Sequence, residues 1–135
     1  MSYGLDNSSP YESYILQAQD IDGAHPADFY FLTGSGTKNQ VFGVTHLAVG
    51  TRYFLTATYD GTTAKLYVNG VLDNSLAASG SLYYPGGAGL GLGRKYNSPS
   101  ANFTGTEQGV SIYNTALTAT QISAHYAAGS AGTPV

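Results

Sequence analysis

The sequence predicts an all-β chain, folded as an antiparallel β-sandwich or jelly roll with one short C-terminal helix, on three observations. Residues 52–72, RYFLTATYDGTTAKLYVNGVL, alternate in character across two tight-turn dipeptides. Other short alternating runs recur along the chain between Gly-rich turns, and one stretch near the C-terminus carries both start and stop signals of a helix. About eight short strands with one peripheral helix fit a sandwich or jelly roll and no helical architecture.

Taken in order, residues 1–12 form an irregular arm, polar and broken by Pro10. Residues 14–19 (YILQAQ) alternate as a strand, and the turn-rich DIDGAHPAD of residues 20–28 follows. Residues 29–33 make a second strand, Gly34, Ser35 and Gly36 with Lys38 and Asn39 a loop, and residues 40–45 (QVFGVT) a third strand. On residues 52–59, Tyr53, Leu55, Ala57 and Tyr59 share one face while Arg52, Phe54, Thr56 and Thr58 share the other. Asp60-Gly61 turns the chain, Ala64, Leu66 and Val68 then point inward opposite Lys65 and Tyr67, and Asn69-Gly70 turns it again before Val71 and Leu72. Both dipeptides tolerate the positive φ that primed hairpin turns need, so three consecutive antiparallel strands are expected.

After this meander, residues 77–89 are a Ser- and Gly-rich loop holding Tyr83, Tyr84 and Pro85. Residues 90–93 (LGLG) read as a short strand with close backbone packing at its glycines. A further loop over residues 95–102 leads to a last strand at residues 108–113. The helix is expected over residues 119–128. Thr118 caps it with Gln121 at the capping-box spacing, Leu117 and Ile122 form a hydrophobic staple, and Ile122 and Tyr126 make one apolar edge. Gly129 is placed to end it in the left-handed conformation.

A chain of 135 residues needs only one core, which divides it into an arm (1–12), a single domain (13–129) and a flexible tail (130–135). Charged residues make up 10%, far below the usual quarter or so, and the surface must therefore be mostly small polar residues and tyrosine. The net charge is −3, and the five basic residues, Lys38, Arg52, Lys65, Arg94 and Lys95, are scattered, which excludes a nucleic-acid footprint. Absence of cysteine excludes disulfides and thiolate metal sites. No apolar run approaches the eighteen or so residues that span a bilayer, and the N-terminal residues lack the basic and apolar regions of a secretory signal. An extracellular surface or a virion is the expected location, reached as part of a larger particle or chain.

Three separated motifs, ATYDGTTAKLYVNGVL (57–72), GLGLG (89–93) and FTG followed by VSIYNTALTATQISAHYAAG (110–129), resemble in order and spacing a laminin G-like domain of the concanavalin A-like lectin/glucanase superfamily. The resemblance is close over residues 50–129 and looser over 14–45. It implies a jelly roll of two antiparallel sheets with the terminal helix on one edge. Members carry a tryptophan near the start of the meander, where this chain has Arg52 or Tyr53, and often an acidic residue that helps hold calcium, where this chain has Gln108. The family's first strands precede what aligns with Tyr14. The arm or a neighbouring chain is expected to complete that sheet edge, since an uncovered edge pairs readily.

Candidate sites follow from chemistry. Glycoside hydrolysis needs two carboxylates facing each other; the only glutamates, Glu12 and Glu107, lie far apart in sequence and no acidic pair occupies alternate strand positions, so no catalytic residue and no enzyme is expected. His25, His46 and His125 read as surface or packing residues. Asp20, Asp22 and Asp28 around Gly23 place three carboxylates in one loop, a partial likeness to an oxygen-rich calcium loop, so calcium is the one cofactor candidate. Twelve tyrosines in so uncharged a chain point to interaction surfaces. Tyr83 and Tyr84 in one loop, with Tyr96 and Asn97 in the next, either contact a glycan or protein or cover sheet edges, whereas Tyr53, Tyr59, Tyr67, Tyr113 and Tyr126 read as packing residues. Two functions are consistent with this: a non-catalytic lectin-like recognition or adhesion module that binds carbohydrate or a protein partner through sandwich-edge loops, and a structural virion protein, a bacteriophage decoration, fibre or tail component, that packs on neighbouring chains.

Overall fold

The computed structural model describes residues 13–18, 26–84, 90–94 and 102–131. The arm at residues 1–12 and the last tail residues, 132–135, lie outside the described residues. Two three-stranded antiparallel sheets are present. The first, in the order β1-β2-β3, consists of Tyr14–Ala18, Pro26–Thr33 and Thr37–His46, and the second, in the order β4-β5-β6, of Leu55–Tyr59, Thr63–Val68 and Val71–Ala77. Helix α1 spans Ala119–Ser130.

The core lies between the sheets. Ala27, Phe29, Phe31 and Val41 from the first meet Ala64, Leu66 and Val68 from the second, with Leu47 buried beside them and Tyr53, Leu55, Ala57 and Tyr59 packed against the cluster. The inward set expected of residues 53–68 is therefore the set observed. Phe31 stacks on Phe29 at 4.9 Å between ring centroids and meets Tyr59 across the sandwich at 4.7 Å. Burying side chains of the size of Phe31 or Leu66 contributes about 2 kcal/mol each. The middle strand β2 is buried along its whole length, on both faces.

The two turns of the meander work differently. Asn69 and Gly70 take φ of 52° and 80°, the pair of positive values a type I′ hairpin requires. At the other turn only Gly61 has positive φ (93°); the Asp60 carboxylate instead accepts from the N–H groups of Thr62 (2.9 Å) and Thr63 (2.8 Å) and from the Thr62 hydroxyl (2.7 Å). These bonds hold the Asp60 carboxyl below the usual carboxylate range.

Where β3 passes Ala27, three residues, Gly43, Val44 and Thr45, oppose one, because Pro26 faces His46 while Asp28 faces Phe42. Such a bulge takes backbone N–H groups out of the ladder. Here β6 of the other sheet supplies their acceptor, the carboxylate of Asp73.

Five expectations need correction. Lys38 and Asn39 lie inside β3, which begins at Thr37 and pairs them with Leu32 and Phe31, and not in a loop. Asp28 lies inside β2, which begins at Pro26, and not in a turn. Residues 90–93 form no strand, only an isolated bridge from Arg94 to Asn102. Residues 108–113 are likewise no strand; they run outside both sheets, and a run with strand-like sequence becomes a strand only when a neighbour takes its backbone hydrogen bonds. Gly129 does not end α1, which continues to Ser130 with Ala131 as C-cap, the Ser130 hydroxyl donating to the carbonyls of Tyr126 (2.8 Å) and Ala127 (3.2 Å). The N-terminus of α1 is as expected, with the reciprocal Thr118–Gln121 capping box formed and Ile122 fully buried. Tyr126 lies against Phe54 at 6.0 Å, which seats the helix on the second sheet.

Candidate functional site

After β6 the chain crosses from the second sheet to the first, and this crossover, residues 78–84, builds one edge of the sandwich. Its first half is tied to the meander. The N–H of Ala78 donates to the Thr62 carbonyl (2.9 Å) and that of Gly80 to Gly61 (3.1 Å), while the Tyr59 hydroxyl reaches the carbonyls of Ala78 (3.2 Å) and Gly80 (2.6 Å). Burial, and next to it the negative charge of Asp60, raise the pKa of Tyr59.

The second half is tied to β2. Gly34 N–H donates to Ser81 (3.0 Å), Tyr83 N–H donates to Leu32 (2.9 Å), and Leu82 pairs with Thr33. The crossover thus continues the β1 position along β2 after Ser13, whose carbonyl accepts from Leu32 N–H. The Tyr83 ring lies over the β2–β3 turn, 3.8 Å from where a Cβ on Gly36 would stand. Beside it Asn39 donates to the Thr33 hydroxyl (3.0 Å) and the Thr37 carbonyl (3.1 Å).

Of the predicted contact residues, Tyr83 is therefore half-buried and held by backbone and ring, whereas Tyr84 is 66% exposed. The two adjacent tyrosines do different things. Tyr96 and Asn97 lie outside the described residues. Sequence reasoning missed Tyr59 as the anchor of this edge and Asn39 as part of it. An alternating strand gives no sign that one hydroxyl reaches a loop nineteen residues on.

Asp28, the described member of the predicted calcium loop, is fully buried on the face of β2 that points away from the other sheet. Its Oδ2 accepts from Gln40 Nε2 (2.7 Å), and its Oδ1 has no partner. Burial raises its pKa, against the opposing hydrogen bonds of Gln40 and Gln17. Asp20 and Asp22 lie outside the described residues, and among the described residues no three His, Asp or Glu side chains gather. Glu12 and His25 also lie outside them. His125 sets its ring edge-on to Tyr113 at 5.8 Å.

Two facing antiparallel sheets with loops gathered along one edge define a concanavalin A-like β-sandwich. The family model Laminin_G_3, of the Concanavalin A-like lectin/glucanases superfamily, matches residues 3–123, and the chain belongs to that family. In fold it is similar to the crystal structure of an S-layer domain-containing protein (residues 221–444) from Clostridium thermocellum, at 17% identity and a TM-score of 0.53, covering 93% of this chain and 68% of that one. No curated protein matches the chain. Among the described residues no helix is long and apolar enough to cross a membrane.

Proposed function

We propose that the protein is a non-catalytic, lectin-like recognition module, displayed on a surface or particle, that binds carbohydrate through the edge formed by residues 34–39 and 78–84. One observation carries this reading: the crossover fixes Tyr83 by backbone and ring and presents Tyr84 beside it, 66% exposed. An exposed aromatic face on a rigid backbone stacks on a sugar ring with little loss of side-chain freedom, and neighbouring hydroxyl and amide groups bond the sugar hydroxyls. Tyr96 and Asn97 are further contacts under this proposal.

Three of the four described side-chain carboxylates, Asp28, Asp60 and Asp73, are engaged by hydrogen bonds within the fold, which leaves Glu107 without a second carboxylate to act with and supports a non-catalytic role. A neighbour in fold that is named for an S-layer domain supports a surface setting.

A glycan array, followed by titration of the hits, tests the reading. Tyr84→Ala is expected to weaken binding at least tenfold with an unchanged melting temperature, and Tyr84→Phe to keep most of it. A chain that binds no glycan, or binds equally well without Tyr84, would sink the proposal.

A further inference from the structure

Gly80 stands where the chain leaves the second sheet for the first, and its φ of 108° lies in a region that a side chain would strain. A glycine in that region lets the following peptide plane turn at little cost, so the plane needs an outside partner to hold one orientation. That partner is the hydroxyl of Tyr59, 2.6 Å from the Gly80 carbonyl.

The approach to Gly80 is held from the same direction. Thr62 C=O takes the N–H of Ala78 (2.9 Å) and Gly61 C=O takes the N–H of Gly80 itself (3.1 Å), while the Ala78 carbonyl lies 3.2 Å from the Tyr59 hydroxyl. Residues 78 and 80 are thus braced by residues 59–62. A phenol has a single proton to donate, and the two distances assign it to Gly80 in preference to Ala78.

Beyond Gly80 the partners change sides. Ser81 C=O accepts from Gly34 N–H (3.0 Å) and Tyr83 N–H donates to Leu32 C=O (2.9 Å), so the next anchors belong to β2 and the turn after it. The peptide plane between Gly80 and Ser81 is the joint between the two anchorages, and Tyr59 spans it. Its backbone belongs to β4, its ring lies 4.7 Å from Phe31 of β2, and its hydroxyl holds the joint. Phe31 is itself fully buried and stacked on Phe29 at 4.9 Å, which gives the tyrosine ring a fixed seat.

We infer that Tyr59 is the positioning residue of this edge: its hydroxyl locks the Gly80–Ser81 peptide plane, and through Tyr83 the lock sets the orientation in which Tyr84 meets a sugar ring. The inference rests on the reading of the edge as a carbohydrate site and adds to it a residue that acts on the ligand only through the loop. A platform held in one orientation before binding spares the complex the entropy of ordering it. Releasing the lock therefore weakens binding while the core stays as it is.

Tyr59→Phe removes one oxygen and keeps the ring on Phe31. Thr118→Ala, which loses a helix cap, is the control for a general loss of stability. Amide exchange read residue by residue is expected to be about tenfold faster at Gly80 and Tyr83 in Tyr59→Phe than in the parent, with Phe31 and Leu66 following global stability alone. In Thr118→Ala these amides should show no such difference. On one glycan array probed with all three chains, Tyr59→Phe is expected to bind each parent hit about fivefold more weakly, the worth of one hydrogen bond, and Thr118→Ala as well as the parent. Binding by Tyr59→Phe at the parent's affinity, an equal loss in Thr118→Ala, or unchanged exchange at Gly80 and Tyr83 would each overturn the positioning role. A parent without hits sinks the sugar reading alone, and amide exchange then decides for or against the lock.

Discussion

The carboxylate of Asp73, on β6, holds the backbone N–H (3.1 Å) and the hydroxyl of Thr45, on β3 of the facing sheet, and the N–H of Val44 (2.8 Å) as well. One side chain thus supplies the acceptors that the bulge in β3 has lost. Charge-assisted bonds of this kind contribute about 1.5–3 kcal/mol where their partners are left unsatisfied. Asp73→Ala is expected to lower stability by about 2 kcal/mol and Asp73→Asn by about half as much, measured as the midpoint of urea unfolding.

Gly43 has a separate part in the same contact. A Cβ there would stand 2.6 Å from Asp73 Oδ2 and 2.8 Å from the Ala27 carbonyl. Gly43→Ala is expected to cost about 2–3 kcal/mol, as overpacking against fixed atoms does. Combining it with Asp73→Ala relieves only the first clash, so the double variant should lose less than the two single losses together and more than Asp73→Ala alone.

Asp28 and Asp60 should act on stability with opposite sign as pH changes. Folded Asp28 holds its proton more tightly than the unfolded chain does; its contribution is present in full below the ordinary carboxylate range, around pH 4, and is lost as pH rises through the raised folded value. Asp60 is the reverse: its contribution is present above that range and lost as pH falls through the lowered folded value. Asp28→Asn is therefore expected to be more stable than the parent at pH 7 by about 1 kcal/mol, and the gap to close near pH 3. Thermal melts from pH 3 to 8 measure this. A rise in the parent's melting temperature with millimolar calcium, absent from Asp28→Asn, would instead make Asp28 a cation ligand.

The seat of α1 rests on Gly70. With φ of 80° and a Cβ position 3.0 Å from Tyr126 Cβ, Gly70→Ala meets both backbone strain and the helix. A loss of about 2 kcal/mol is expected. Thr118→Ala removes only the cap and should cost about 1 kcal/mol. Near-UV circular dichroism should change for Gly70→Ala, where Tyr126 moves, and not for Thr118→Ala.

What could be read from residues alone was what local chemistry decides. Asn69-Gly70 marks a primed turn by the φ values it tolerates, Thr118 and Gln121 mark a helix start, and the alternation from Tyr53 to Val68 marks a buried face. Residues 108–113 show the limit, because their alternation is that of a strand while the decision rests with a partner elsewhere. Asp28 reads as a loop residue in the sequence because neither Ala27 nor an aspartate signals a buried strand. Asp73 looked like an ordinary polar position on β6; its relation to Thr45 spans 28 residues and depends on a bulge that no local pattern announces. At the candidate site, the sequence placed two tyrosines in one loop but could not divide their roles, since only the fold shows which of them lies on Gly36.

That division makes the crossover a natural mount for engineered specificity. Every bond that fixes it, from Tyr59 to Gly80 and from Tyr83 to Leu32, uses a main-chain carbonyl or N–H on the loop. Position 84 contributes to none of them. A library randomised at 84 and its exposed neighbours Ser79 and Ser81 can therefore be selected for new ligands with the scaffold's stability nearly constant.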